Sequence, residues 1–143
     1  MITLPILAVP HSALLTILEL LIDRPLLLIA PALGASLASF LCVAAERAPR
    51  GLSINGRSKC VCGRQLQVWR NGRPENVPIA GWLAARGRTD CGTTLPAVYL
   101  STEVVAAVGF TAAAVLLPTL GALAGFAVIS AVVFALAYQQ LAP

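Results

Sequence analysis

The sequence predicts an α-helical integral membrane protein with three or four transmembrane helices and one basic loop between them. Three observations carry that expectation. Of the 143 residues, 58% are hydrophobic and only 11% charged, whereas a soluble domain carries about a quarter charged residues. A mean hydropathy of +0.84 leaves too little polar surface to cover a globule, so the bilayer is the natural solvent. The few charges are also segregated: nine of ten basic and four of six acidic residues lie from Glu46 to Glu103, which gives that stretch +5. This composition excludes a disordered chain, a coiled coil and a secreted disulfide framework.

Four segments follow from where charge is missing. Residues 1–24 form an apolar segment that supplies either a fourth span or an interfacial helix, because Pro5, Pro10, His11 and Glu19 interrupt it. With no Lys or Arg before Arg24, it lacks the basic start of a cleaved signal peptide. Residues 25–46 contain the charge-free run Pro25 to Ala45 of 21 residues, long enough to cross a bilayer once. Residues 47–98 form the basic loop. Residues 99–143 contain a charge-free run of 40 residues from Val104, broken by Leu117-Pro118-Thr119-Leu120-Gly121, and read as a transmembrane hairpin.

Basic loops are retained on the cytoplasmic side. The loop and the C-terminus are therefore expected in the cytoplasm, with the chain a multi-pass protein of a bacterial inner membrane. Anionic lipid headgroups are the expected partners of the loop. Nucleic acid is not expected, since few aromatic residues interleave with the basic ones. Small residues spaced by four, Gly34 with Ala38 and Gly121 with Gly125, suit close helix packing within the chain.

Four cysteines are present, Cys42, Cys60, Cys62 and Cys91. Cys42 falls in the first span and is expected to act as a small buried apolar residue. The others form a half-repeat in the loop, Lys59-Cys60-Val61-Cys62-Gly63 and Arg88-Thr89-Asp90-Cys91-Gly92. In a reducing cytoplasm, thiols in such Cys-Gly turns point to metal rather than to a disulfide. Cys60, Cys62 and Cys91 are thus candidate zinc ligands in a small zinc-ribbon-like subdomain. A fourth ligand is missing, and Asp90 is the nearest oxygen donor; His11 is too far away in an apolar segment. Without metal, Trp69 and Trp82 are the side chains expected to build a small core. Glu46 and Glu103, at helix ends, are expected to pair with Arg47 or a nearby basic residue.

The chain resembles the N-terminal, two-knuckle domain of bacterial prepilin peptidases of the A24 type. The residues that carry the resemblance are Gly34-Ala35-Ser36-Leu37-Ala38-Ser39-Phe40-Leu41-Cys42-Val43, followed by Arg47-Ala48-Pro49-Arg50-Gly51. It continues through Cys62-Gly63, Leu66, Trp69, Asn76-Val77-Pro78-Ile79, Trp82, Arg86-Gly87-Arg88, Cys91-Gly92, Tyr99 and Glu103. The resemblance implies a role in type IV pilus assembly or type II secretion, where the family cleaves prepilin and pseudopilin leaders and methylates the new N-termini. It also puts the first cysteine of each family knuckle at Lys59 and Arg88, and a family asparagine at Cys42.

The proteolytic half of that activity resides in the family's later membrane domain, which carries two aspartates, one in a Gly-x-Gly-Asp motif absent here. Aspartyl proteolysis needs two carboxylates close enough to share a proton. The only aspartates are Asp23 and Asp90, which the expected topology puts on opposite sides of the membrane. The leading expectation is therefore a non-proteolytic partner of a separate peptidase subunit, a prepilin or a pseudopilin. The alternatives are the N-methyltransferase part of a split enzyme, which rests on the resemblance alone, and an inactive relic.

Overall fold

The structure, a computed structural model, describes residues 25–55, 58–60, 62–89 and 91–142. The N-terminal segment expected as a further span or interfacial helix lies outside these residues, and so do His11, Asp23 and Asp90. In chain order, helix α1 (Leu26–Arg47) continues as a 3-10 turn (Ala48–Arg50) that Gly51 closes at φ 63°. Strands β1 (Trp69–Arg70) and β2 (Arg73–Pro74) form an antiparallel hairpin with Trp69 opposite Pro74. The short helix α2 (Ala80–Ala84) precedes α3 (Ala97–Leu116) and α4 (Thr119–Leu141).

Three of these helices are long and apolar enough to cross a membrane. At 22, 20 and 23 residues and about 1.5 Å rise each, they match a hydrocarbon core of about 30 Å. Between α3 and α4 only Leu117 and Pro118 intervene, both extended. The proline ring disfavours helix at Leu117, and its missing N–H costs nothing at a helix start.

In lipid, apolar side chains gain little by leaving their solvent, so helices associate through close packing and buried polar contacts. The inward stripe of α1 is accordingly small: Ala30, Gly34, Ala35, Ala38, Cys42 and Ala45. Gly34 lies directly on the backbone of α3, and a Cβ there would overlap the Ala106 carbonyl. Higher in the bundle the Phe110 and Phe126 rings stack, centroids 4.2 Å apart and planes 2° from parallel. Lower down, the buried Cys42 Sγ lies 3.1 Å from Thr102 Oγ1. Gly125 contacts the Ala113 side chain of α3, while Gly121 abuts the Leu117–Pro118 turn, so both glycines serve packing inside the chain. Large side chains such as Leu28, Leu33, Val108, Leu120 and Val128 point outward.

The C-terminal end of α1 and the first turn of α3 lie together, since Tyr99 Oη donates to Glu46 at 2.7 Å. Ala137 and Leu141 of α4 pack with Cys42 and Ala45 at that same end. Both ends of the loop and the end of α4 therefore share one side of the bundle. The tryptophan core differs from expectation. Trp69 is 62% exposed on the two-stranded hairpin, which has no second layer to cover it, and Trp82 packs over Gly87.

Gly34→Val should cost about 1–3 kcal/mol, the usual penalty for forcing volume into a filled core. It should lower the thermal unfolding midpoint in detergent, while Leu33→Val, on the exposed face, should leave it unchanged.

Candidate metal centre

The loop is built around two copies of one turn, related by a shift of 29 positions: Lys59 bridges to Gln65 as Arg88 bridges to Thr94. Their hydrogen bonds match. Cys60 N–H donates to Arg64 O at 2.7 Å and Thr89 N–H to Thr93 O at 2.8 Å, while Gly63 and Gly92 donate back to Cys60 O and Thr89 O at 2.8 and 2.9 Å. Leu66 N–H to Ser58 O and Leu95 N–H to Gly87 O close each turn at 2.8 Å. Gly63 and Gly92 adopt φ 82° and 81°, a left-handed conformation that a side chain would oppose. In this register Cys62 is the counterpart of Cys91, and Cys60 of Thr89. The place of the missing cysteine is thus Thr89, one step beyond the Arg88 that comparison with the family pattern suggested.

The two turns meet at their tips. The Sγ atoms of Cys60, Cys62 and Cys91 all lie within 4.8 Å of one another, Cys60 buried and the other two exposed. Tetrahedral zinc at a Zn–S distance of about 2.3 Å holds its sulfurs about 3.8 Å apart, so a small inward movement would bring these three onto one ion. The cluster can hold a metal. Thr89, the counterpart of Cys60, has its Oγ1 3.1 Å from Cys91 Sγ, but a neutral hydroxyl is not among zinc's ordinary ligands.

Hydrogen bonding to Cys60, and then to Thr89 and Cys62, holds the Cys91 thiol down at about 6. It is therefore a thiolate at neutral pH, the form that binds metal and attacks electrophiles. For Cys62 the Arg64 amide favours the thiolate, yet hydrogen bonds with Cys91 and Cys60 outweigh it and push the thiol up. Of these two exposed thiols, Cys91 is therefore the one that carries the negative charge.

Two carboxylates hold the loop in place. Glu75 accepts from Arg64 at 2.5 Å and from the Gln67 N–H at 2.9 Å, and the Arg64 hydrogen bond keeps its carboxyl below the usual range. Glu103 of α3, only 5% exposed, accepts the Ile79 N–H at 2.5 Å. It pairs with no basic residue among those described, contrary to expectation, because burial puts it under the loop rather than beside Arg47. Glu46 does pair with a nearby basic residue, Arg50, at 3.2 Å. Ile79 has φ 62° and ψ −58°, with Ala80 N–H donating to Pro78 O at 2.6 Å. This is a γ-turn that a β-branched residue rarely adopts, and the bond to Glu103 helps to hold it. Between loop and helix ends lies a cleft of about 360 Å³ lined by Ser39, Glu46, Asn76, Trp82, Tyr99 and Glu103, among others.

Glu103→Ala leaves the part-buried Ile79 N–H without its partner and should cost about 1 kcal/mol or more, opening the loop to limited proteolysis. Glu103→Gln, which keeps an acceptor oxygen, should protect the loop nearly as well as the native residue. In chelator-treated protein, iodoacetamide labelling of Cys91 should rise through a midpoint near pH 6. Because that pKa is lowered, reactivity should persist at neutral pH and disappear below the midpoint, whereas Cys62 should label only in alkali. Mass spectrometry of the two peptides distinguishes them.

The profile of the Bacterial Peptidase A24 N-terminal domain matches residues 32–117. This stretch runs from α1 through both turns to the end of α3 and contains all three clustered thiols. Neither a curated protein nor a solved structure matches the chain. With more than half of its length inside that match, the chain belongs to the bacterial peptidase A24 N-terminal domain family.

Proposed function

We propose that this protein serves prepilin processing, in type IV pilus assembly or type II secretion, as a non-proteolytic membrane partner whose three-thiol cluster holds a zinc ion. The observation that carries the reading is the meeting of Cys60, Cys62 and Cys91 within the segment that matches the family. An ion there would pin the two turns together and fix the face of the loop beside the ends of α1, α3 and α4. Thr89 in place of a fourth cysteine leaves one coordination position for water, for Asp90 or for a partner's side chain. The excess of basic residues in the loop supports a cytoplasmic loop and C-terminus in a bacterial inner membrane, on the face where prepilin leaders are cut.

We infer that the residues of this sequence do not themselves form a proteolytic dyad. Their two aspartates, Asp23 and Asp90, lie on either side of a spanning helix in the sequence. A carboxylate dyad needs both groups on one water.

Chelator-free purification should yield about one equivalent of zinc, and Cys62→Ser/Cys91→Ser should abolish it. Less than about a tenth of an equivalent by elemental analysis rejects the metal. The purified chain alone should leave a prepilin leader uncut, and a peptidase subunit or a prepilin should co-purify with it from native membranes. Leader cleavage by the chain alone overturns the partner role.

A further inference from the structure

A second concavity, of about 790 Å³, is lined by residues of the loop only, from Arg64 to Leu95. Five of its lining residues are arginine (Arg64, Arg70, Arg73, Arg86 and Arg88), against one carboxylate, Glu75. They come from separate parts of the loop: the first turn, the two strands of the hairpin, the end of α2 and the second turn. Retention of a loop in the cytoplasm asks only for positive charge near the spans. It does not require convergence on one cavity, nor does it distinguish arginine from lysine. Yet the loop's only lysine, Lys59, lines the other cleft.

Gathering like charges is costly, and Glu75 offsets part of that cost beside Arg64 and Arg70. Glu75 is engaged by Arg64, and among the described residues no carboxylate lies within ion-pair range of Arg73, Arg86 or Arg88. The backbone of the cleft is also constrained. Of the three described non-glycine residues at positive φ, two line it, Asn71 at 50° and Arg86 at 51°. At Asn71 this is the ordinary geometry of an Asn-Gly hairpin turn, whereas Arg86 is a long side chain held in a sparsely populated region, as residues at functional sites often are.

The geometry points to an anion-binding site, and we propose that its ligand is a phosphate group, carried by an anionic lipid headgroup or by a soluble phosphorylated compound. Arginine presents a planar fork of N–H donors that matches phosphate oxygens in pairs. A carboxylate's two oxygens are taken up by one such fork, as Glu75 already shows with Arg64. A phosphate offers enough acceptor oxygens for several forks at once and carries more charge, which suits a cleft lined by five arginines of which Arg64 is held by Glu75. This site is independent of the metal and of the pilus role.

The full chain, in phosphatidylcholine nanodiscs, is titrated with inorganic pyrophosphate by calorimetry. In a second arm, nanodiscs that also contain phosphatidylglycerol are examined by native mass spectrometry for that lipid retained on the released protein. At least one probe should bind, more weakly as salt rises. Arg73→Gln/Arg86→Gln should weaken binding by about tenfold or more while keeping the native unfolding midpoint. Arg50→Gln, outside the cleft, should have no effect, and Arg73→Lys should restore only part of the loss if the variant is compared with Arg73→Gln. Binding of pyrophosphate alone identifies a soluble ligand, and retention of phosphatidylglycerol alone a headgroup. The proposal is overturned if neither probe binds, if Arg50→Gln weakens binding equally, or if only an oligoglutamate peptide binds.

Discussion

The close approach of α1 and α3 at Gly34 governs the rest of the molecule. With no side chain at that point, the Ala106 backbone sits directly against α1, and the two helices come into register. Register then places Cys42 against Thr102 and Glu46 against Tyr99, so the segment that leaves α1 and the one that enters α3 emerge side by side. A loop of some fifty residues thereby begins and ends at one place, which reduces the entropy lost in ordering it. Its two turns can meet only because their ends are already close.

The three long apolar helices were the most legible part of the fold, and the reason is physical. Lipid tolerates neither charge nor unsatisfied backbone, so a span announces itself as a charge-free run, and Pro118 marks the break between the last two. The thiol cluster was legible for a similar reason, since Cys62-Gly63 and Cys91-Gly92 are short, chemically unusual repeats. The hairpin also has a local signal in the sequence: Asn71-Gly72 between two short strands is the pair that accepts positive φ at both turn positions, as it does here at 50° and 75°. Thr89 as the counterpart of Cys60 becomes visible only once Lys59–Gln65 and Arg88–Thr94 are seen as one bridge repeated.

Other features had no local signature. That Glu103 would cap Ile79, 24 residues away, depends on how the loop folds back on the bundle. A carboxylate near a helix end reads in sequence as a partner for the nearest arginine, because sequence shows proximity along the chain and hides burial. Trp69 misled in the opposite sense. A large aromatic residue suggests a core, but a two-stranded hairpin with one uncovered face has none to offer. Convergence of the five arginines belongs to the same class, being a property of three-dimensional closure rather than of spacing.

The doubled turn is unequal in its chemistry: the first copy contributes two thiols and the second only one. An ion bound between them would grip the first turn as a chelate and the second by a single bond. Chelation resists dissociation because one sulfur remains attached while the other exchanges, and a single bond has no such protection. The second turn runs through Leu95 directly into α3, whereas the first is separated from α1 by the segment after Gly51. Mechanical release at Cys91 would therefore be felt first by the helix that carries Glu103. The turn that runs directly into α3 is the one such an ion would hold most lightly.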